Sequence, residues 1–365
     1  MTKKGSLCMK NNRILFTGGG TAGHVIVNLA LIPYYLNLGY EIDYIGSHNG
    51  IEKKLIQGIE GVTYHGISTG KLRRYISKEN VKDPFKVLKG MFEAFQILGK
   101  RKPKVIFSKG GFVSVPVVVA AKLRGVPTVI HESDVTPGLA NKLSIPFAKK
   151  VLATFPETVH YLPENKREYV GAVIRDELFT GSKEAGLKWA GLSDHKPVLL
   201  IMGGSAGSQK INETLRASLP ELLPSFQIIH ICGEGKTDDS HQEEGYAQFE
   251  YVHDGLKDLF AASDFVLSRA GSNAIFEFLA LRMPMLLIPL SKQASRGDQI
   301  INAKSFKEKK YARVLQEEEL TEEKLVEEIY KLKEVSPVMR DKMQEYQSEK
   351  AKDRVIKIIE ETSKK

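Results

Sequence analysis

The chain has little of what marks covalent or metal-bound chemistry. Its 365 residues contain two cysteines, Cys8 and Cys232, and no Cys-x-x-Cys pair, so neither a disulfide framework nor a zinc site is expected. No Asp-x-Asp occurs, which argues against a metal clamp of that type on a diphosphate. The full spacing of a Walker-type phosphate loop is absent, and no local Ser-His-Asp or Cys-His signature supports covalent catalysis. No metal and no cofactor are therefore expected. Long apolar runs are missing too. The longest, 113–121, contains Ser114 and Pro116 and falls well short of the roughly 20 residues that span a bilayer. The first twelve residues lack the apolar stretch of a signal peptide, so the expectation is a cytosolic protein that touches a membrane without crossing it.

What is present is basic and glycine-punctuated. The net charge is +9, which points to anionic partners. Twice an apolar run ends in a glycine-rich turn and opens into a helical pattern. Residues 13–17 lead into Gly18-Gly19-Gly20-Thr21-Ala22-Gly23-His24, and residues 197–202 lead into Gly203-Gly204-Ser205-Ala206-Gly207-Ser208. Each reads as strand, turn and helix of a βα unit, with bare backbone amides at a helix N-terminus.

Alternation of short apolar runs with helical patterns continues through both halves. Strands are expected at 14–17, 41–45, 105–108, 128–130 and 151–153, and again at 198–202, 227–231, 265–268 and 285–288. That order predicts an α/β protein with two Rossmann-like domains, each with a parallel sheet, facing across a cleft. The expected division is 1–170 for the first domain and 171–336 for the second. A charged helix at 337–365 is expected to pack back on the first.

The glycine turns carry the candidate chemistry. Gly18, Gly20 and Gly23 satisfy G-x-G-x-x-G, and Asp43 lies near where a dinucleotide fold keeps its ribose acid, although within the strand rather than at its end. A nicotinamide enzyme is therefore one alternative. His24 follows the first turn, where a neutral imidazole could accept a hydroxyl proton. Ser205 in the second turn could hold a pyrophosphate or cap a helix. Glu277 lies inside an apolar helix and needs a partner, either a ribose diol or a nearby arginine, Arg269 or Arg282. Asp298 and Gln299 begin the next helix and could bond a polar ligand.

Residues 71–104 hold eleven Lys and Arg against three acidic residues. Phe85, Leu88, Phe92 and Phe95 recur there at helical spacing, with Lys82, Lys86 and Lys89 between them. This reads either as a core stripe or as a surface for an anionic membrane. Nucleic acid is not expected, because no recognised binding module accompanies the patch.

The motifs together resemble the MurG family of bacterial UDP-N-acetylglucosamine transferases, over nearly the full length. The resemblance rests on Gly19-Gly20-Thr21-Ala22-Gly23-His24, Ser108-Lys109-Gly110-Gly111-Phe112-Val113-Ser114, His131-Glu132, Gly203-Gly204-Ser205, Ser268-Arg269-Ala270-Gly271 with Glu277, and Asp298-Gln299 before Asn302-Ala303. It implies a GT-B fold and transfer of N-acetylglucosamine from UDP-GlcNAc to undecaprenyl-diphospho-N-acetylmuramoyl-pentapeptide (lipid I) at the cytoplasmic face of the membrane. It implies inversion, with His24 as base and with helix N-termini stabilising the leaving diphosphate. It implies that Ser205 and Arg175 face the diphosphate, Glu277 the ribose, Gln299 the sugar and the backbone near Val252 the uracil. Thr21, Ala22, Gly23 and Asp134, with Ser272, Asn273 and Ala274, would complete the donor site. Departures from the family's usual pattern include Ala22 for Gly, Ala206 for Gln, and Asp134 for Asn. A carboxylate at 134 would repel a diphosphate unless protonated or paired. A different lipid glycosyltransferase and a non-catalytic UDP-sugar-binding paralogue are the alternatives to this activity.

Overall fold

A computed structural model describes residues 12–70, 79–204, 207–252, 255–293, 295–346 and 350–364, with the side chains of 79–82 left out. The chain divides into two units, Met1–Val173 with Glu349–Lys365, and Ile174–Ser348.

The first unit is built on seven strands: β1 (Arg13–Thr17), β2 (Glu41–Ser47), β3 (Val62–Ile67), β4 (Val105–Ser108), β5 (Thr128–Glu132), β6 (Lys150–Ala153) and β7 (Arg167–Tyr169). All pair in parallel, in the order β3-β2-β1-β4-β5-β6-β7. Strand side chains alternate between faces, and both faces are covered. Ile14, Phe16, Tyr44, Val105 and Phe107 join one core cluster with Leu31 and Tyr35 of the helix Ile26–Asn37. Leu15, Ile45 and Ile106 point the other way, onto Ala94 and Leu98 of the helix Glu79–Arg101 and Val117 of Ser114–Leu123.

The second unit repeats the plan with β8 (Val198–Met202), β9 (Gln227–Ile231), β10 (Tyr246–Phe249), β11 (Phe265–Ser268), β12 (Met285–Leu287) and β13 (Ala312–Val314). The order is β10-β9-β8-β11-β12-β13, again parallel throughout. In each sheet the chain reverses its direction of growth between the first and fourth strands in sequence. Ligands of open α/β sheets bind outside the carboxyl ends of the strands at that switch point. The turns after β1 and β4, and after β8 and β11, hold four of the six motifs that carry the resemblance, the other two lying at the end of β5 and after β12.

Several elements differ from the sequence expectation. β3, β7, β10 and β13 are additional edge or near-edge strands. Proline does not end the helix Glu322–Met343, which runs through Pro337. Buried Met339 and Met343 beyond the proline tie the helix to the second unit, and this tertiary packing outweighs the lost backbone bond. Position 337 is therefore not a boundary. The segment that returns to the first unit is the helix Ala351–Ser363, whose Val355, Ile356 and Ile359 enter the core beside Ile14 and Phe16. Among the described residues no helix is long and apolar enough to cross a membrane.

Candidate functional site

At the switch point of the first unit two glycine turns lie against each other. The Gly19 amide donates to the Gly110 carbonyl at 3.3 Å. Gly111 has φ +84°, and a Cβ there would fall 2.1 Å from the Gly19 carbonyl oxygen, so only glycine permits this approach. Thr21 is exposed and leads into one tight turn, Ala22–His24. Thr21 Oγ1 and His24 Nδ1 are 2.9 Å apart. Burial lowers the His24 pKa to about 4, and the Lys109 cation pushes the same way. Asp134, Glu52 and the Gly19 backbone act in the opposite direction. His24 is therefore a neutral imidazole at neutral pH, and Asp134 lies within its electrostatic reach.

Sequence reasoning missed the residue that shapes this turn. Glu52, in the short helix Ile51–Ile56, is fully buried. Its Oε2 accepts the Gly20 amide at 3.1 Å, and its Oε1 accepts the Ser47 amide at 2.9 Å and the Ser47 hydroxyl at 2.5 Å. In the sequence an acid in a first helical turn reads only as a helix-end charge. Glu52→Ala deprives the Gly20 and Ser47 amides of their acceptor and removes the buried carboxylate bridging β2 to the first turn. It is expected to cost about 2–4 kcal/mol in chemical denaturation of the chain.

Asp43 is not poised for a ribose. It sits mid-strand with no exposure, 2.8 Å from Arg101 Nε and 2.7 Å from His65 Nε2. Burial raises its carboxyl pKa, but these bonds outweigh burial and hold it below its usual value. This carboxylate is committed to structure, and the dinucleotide reading loses its acid.

In the second unit Glu277 does have an arginine partner, but it is neither Arg269 nor Arg282. Arg175 Nε lies 3.0 Å from Glu277 Oε1 and Nη2 lies 3.3 Å from Oε2, a two-pronged pair. Burial raises the Glu277 carboxyl, and Arg175 opposes that shift. Ser272, Asn273 and Ala274 occupy the first turn of the same helix, Ser272–Ala280. Tyr251 interacts electrostatically with Arg175, which brings the segment of buried Val252 toward this pair. Ser205 lies outside the described residues. The flank of its turn is constrained, since Gly207 has φ +66° and a Cβ there would strike the Cys232 carbonyl.

Arg269 stitches the surrounding loops. It donates to the Ile288 and Pro289 carbonyls at 3.1 and 3.4 Å, to Ser208 Oγ at 2.7 Å, and to Glu317. Glu317 in turn accepts the Ser291 amide at 3.1 Å. Gln299 Oε1 accepts the Leu290 amide at 3.1 Å, and Asn302 reaches the Ala270 carbonyl at 3.3 Å. The structure thus gathers Thr21, Ala22, Gly23, His24 and Asp134 in one unit. Arg175, Val252, Ser272–Ala274 and Glu277 gather in the other, where Gln299 is fixed on the loop after β12. Among the described residues no group of three or more His, Cys, Asp or Glu is placed to hold a metal ion.

The aromatic stripe divides between two faces. Phe95 packs inward against Ala94 and Leu98, while Phe85, Leu88 and Phe92 are 71%, 57% and 61% exposed. Lys86 and Lys89 stand among them. The core reading holds for Phe95 alone. The side chain of Lys82 lies outside the described residues.

Comparison with known proteins agrees with the fold. Residues 14–153 match the glycosyltransferase family 28 N-terminal domain, and residues 198–358 the glycosyltransferase family 28 C-terminal domain. The crystal structure of Acinetobacter baumannii MurG superposes with TM-score 0.74 at 24% identity, covering 96% of this chain and 99% of that one. The glycosyltransferase of kitacinnamycin gives 0.75 at 14% identity over 97% and 99%. These likenesses show the two-domain GT-B fold. The UDP-N-acetylglucosamine–N-acetylmuramyl-(pentapeptide) pyrophosphoryl-undecaprenol N-acetylglucosamine transferase of Oceanobacillus iheyensis is 71% identical, covering 98% of this chain and all of that protein. The enzyme of the same name from Geobacillus thermodenitrificans is 56% identical over 96% and 99%. With both domain models matched and such relatives aligned from end to end, the chain belongs to the MurG family of glycosyltransferases.

Proposed function

We propose that this chain is a hexosyltransferase that moves N-acetylglucosamine from UDP-GlcNAc to undecaprenyl-diphospho-N-acetylmuramoyl-pentapeptide, a step of peptidoglycan synthesis. The observation that carries the reading is a neutral imidazole, His24, held beside stacked glycine turns at the switch point of the first unit. The names of the full-length relatives supply the substrates. In this reaction the acceptor hydroxyl oxygen attacks the anomeric carbon while that carbon's bond to the diphosphate breaks. The hydroxyl proton goes to His24, UDP departs, and the configuration inverts. Amides of the turn around Ser205 and the Arg175 guanidinium take up the charge developing on the leaving phosphate. Glu277 accepts the ribose hydroxyls, Gln299 and Ser272–Ala274 orient the sugar and diphosphate, and backbone near Val252 pairs with uracil.

Incubation with radiolabelled UDP-GlcNAc and a short-chain lipid I analogue tests the reading. Label should appear on the acceptor with release of one UDP per transfer. Binding of UDP-GlcNAc without any transfer would instead establish a non-catalytic paralogue.

We further propose peripheral attachment to the anionic cytoplasmic face of the membrane through Phe85, Leu88 and Phe92, with Lys82, Lys86 and Lys89 providing charge. Exposed aromatics interleaved with lysines match an interfacial helix face. Each lysine near an anionic surface is worth about 1 kcal/mol, so K86E/K89E is expected to weaken binding to vesicles containing anionic lipid by at least about tenfold. Liposome flotation reads this, and undiminished binding would exclude the face.

A further inference from the structure

A buried lysine lies beneath the glycine turns of the first unit, and the transfer step above does not use it. Lys109 follows β4 and is 2% exposed. Its amide donates to the Thr17 carbonyl at 2.9 Å, and its side chain runs against Gly18. Its ammonium donates to Ser133 Oγ. Burial lowers the Lys109 pKa, and Glu132 and Asp134, the residues on either side of Ser133, oppose that shift through their charge. Glu132 is buried, and its oxygens accept the Asp134 and Gly138 amides, both at 3.0 Å, and the Asn141 side chain at 2.8 Å. Asp134 is partly exposed and interacts electrostatically with both Lys109 and His24. Burial and the Asp134 charge raise the Glu132 pKa and Lys109 opposes them, so the three groups are electrostatically linked.

We propose that Lys109 is the positioning counter-charge of this chamber: its ammonium, fixed on Ser133, neutralises the Glu132–Asp134 pair and so lets an acidic side chain stand where a diphosphate-bearing substrate meets the glycine turns. The inference rests on the transfer function proposed above. Lys109 is too buried to touch substrate and acts through Asp134 and His24. The charged groups facing His24 are Glu52 from the helix Ile51–Ile56, Lys109 from the turn after β4, and Asp134 from the loop after β5. Loss of Lys109 raises the proton affinity of His24, and loss of the Asp134 charge lowers it.

The test is a double-mutant cycle of K109M, D134N and K109M/D134N, read by steady-state kinetics with UDP-GlcNAc and a lipid I analogue and by thermal melting. Truncating one member of a buried charge cluster is expected to lower kcat/KM by about 30–100-fold in K109M, mainly through KM. The double variant is expected to recover at least about tenfold of that loss, as coupled neighbours do. It should also melt above K109M. The acid limb of kcat should move to higher pH in K109M and return toward wild type in the double. Unchanged kinetics in K109M, or a double variant no better than K109M, would overturn the proposal. If K109M is too unstable to assay, the melts decide: D134N must raise the K109M melting point, and no rise refutes the pairing. Wild-type protein that transfers no sugar would refute the functional reading, while the melting cycle would still report on the pairing.

Discussion

His24→Ala is expected to lower kcat by about 10²–10⁴-fold, the range that a positioned general base supplies. UDP affinity should be unchanged, because in the proposed step the imidazole acts on the acceptor hydroxyl rather than on the nucleotide. The electrostatics give the pH dependence its sign. Burial and Lys109 bring the imidazole pKa down to about 4, so the proton-free form predominates at every pH above that value. Activity of the wild type should therefore hold steady from pH 8 down toward pH 5, as far as His24 governs it, and fall as the pH approaches 4. A base with an ordinary histidine pKa would lose activity from about pH 6.5 downward. The Thr21 hydroxyl at 2.9 Å orients the ring, and Glu52 holds the turn that carries it.

Glu277→Ala is expected to weaken UDP binding by about 30–150-fold, the effect of deleting a buried carboxylate that accepts hydroxyl donors and pairs with a guanidinium. Arg175 would lose both prongs of its contact with Glu277 and with them the orientation that its proposed contact with the diphosphate requires. Glu277→Gln keeps the shape and one acceptor oxygen, so its loss should be smaller. Titration calorimetry with UDP separates the two variants, and wild-type affinity in Glu277→Ala would remove the ribose role. The ordering of losses, alanine greater than glutamine, distinguishes a hydroxyl acceptor from a residue that merely fills space.

Much of this architecture can be read from local pattern. A strand that ends in glycines and opens a helix is a short-range signal, and β1, β4, β8 and β11 all carry it. The two Rossmann-like sheets follow from repetition of that signal. Edge strands escaped because their pattern is weak: β3, Val-Thr-Tyr-His-Gly-Ile, mixes polar residues and a glycine, and its place is fixed by pairing with β2. Pro337 misled because local propensity argues for a helix end there, while Met339 and Met343 decide otherwise from the core.

The candidate site is legible where it depends on backbone shape and hidden where it depends on distant partners. His24 and the glycine turns announce themselves within seven residues. Glu277 announces a need for a partner, but Arg175 lies 102 residues away, and nearer arginines looked equally suitable. Lys109 stands in a glycine motif with no role of its own in the sequence, because only the fold brings Ser133 beside it and Asp134 within electrostatic reach. Asp43 matched a dinucleotide spacing yet is occupied by Arg101 and His65, a partnership that spacing alone does not reveal.

The proposed transfer step turns on a proton-free imidazole in the first glycine turn. Nitrogen-15 NMR of histidine-labelled protein, with the resonance assigned by its loss in His24→Ala, measures that state directly. The ring should remain neutral from pH 8 through pH 5 and take up a proton only near pH 4. A His24 resonance that titrates at pH 6.5 or above would contradict the lowered pKa on which this pH dependence rests.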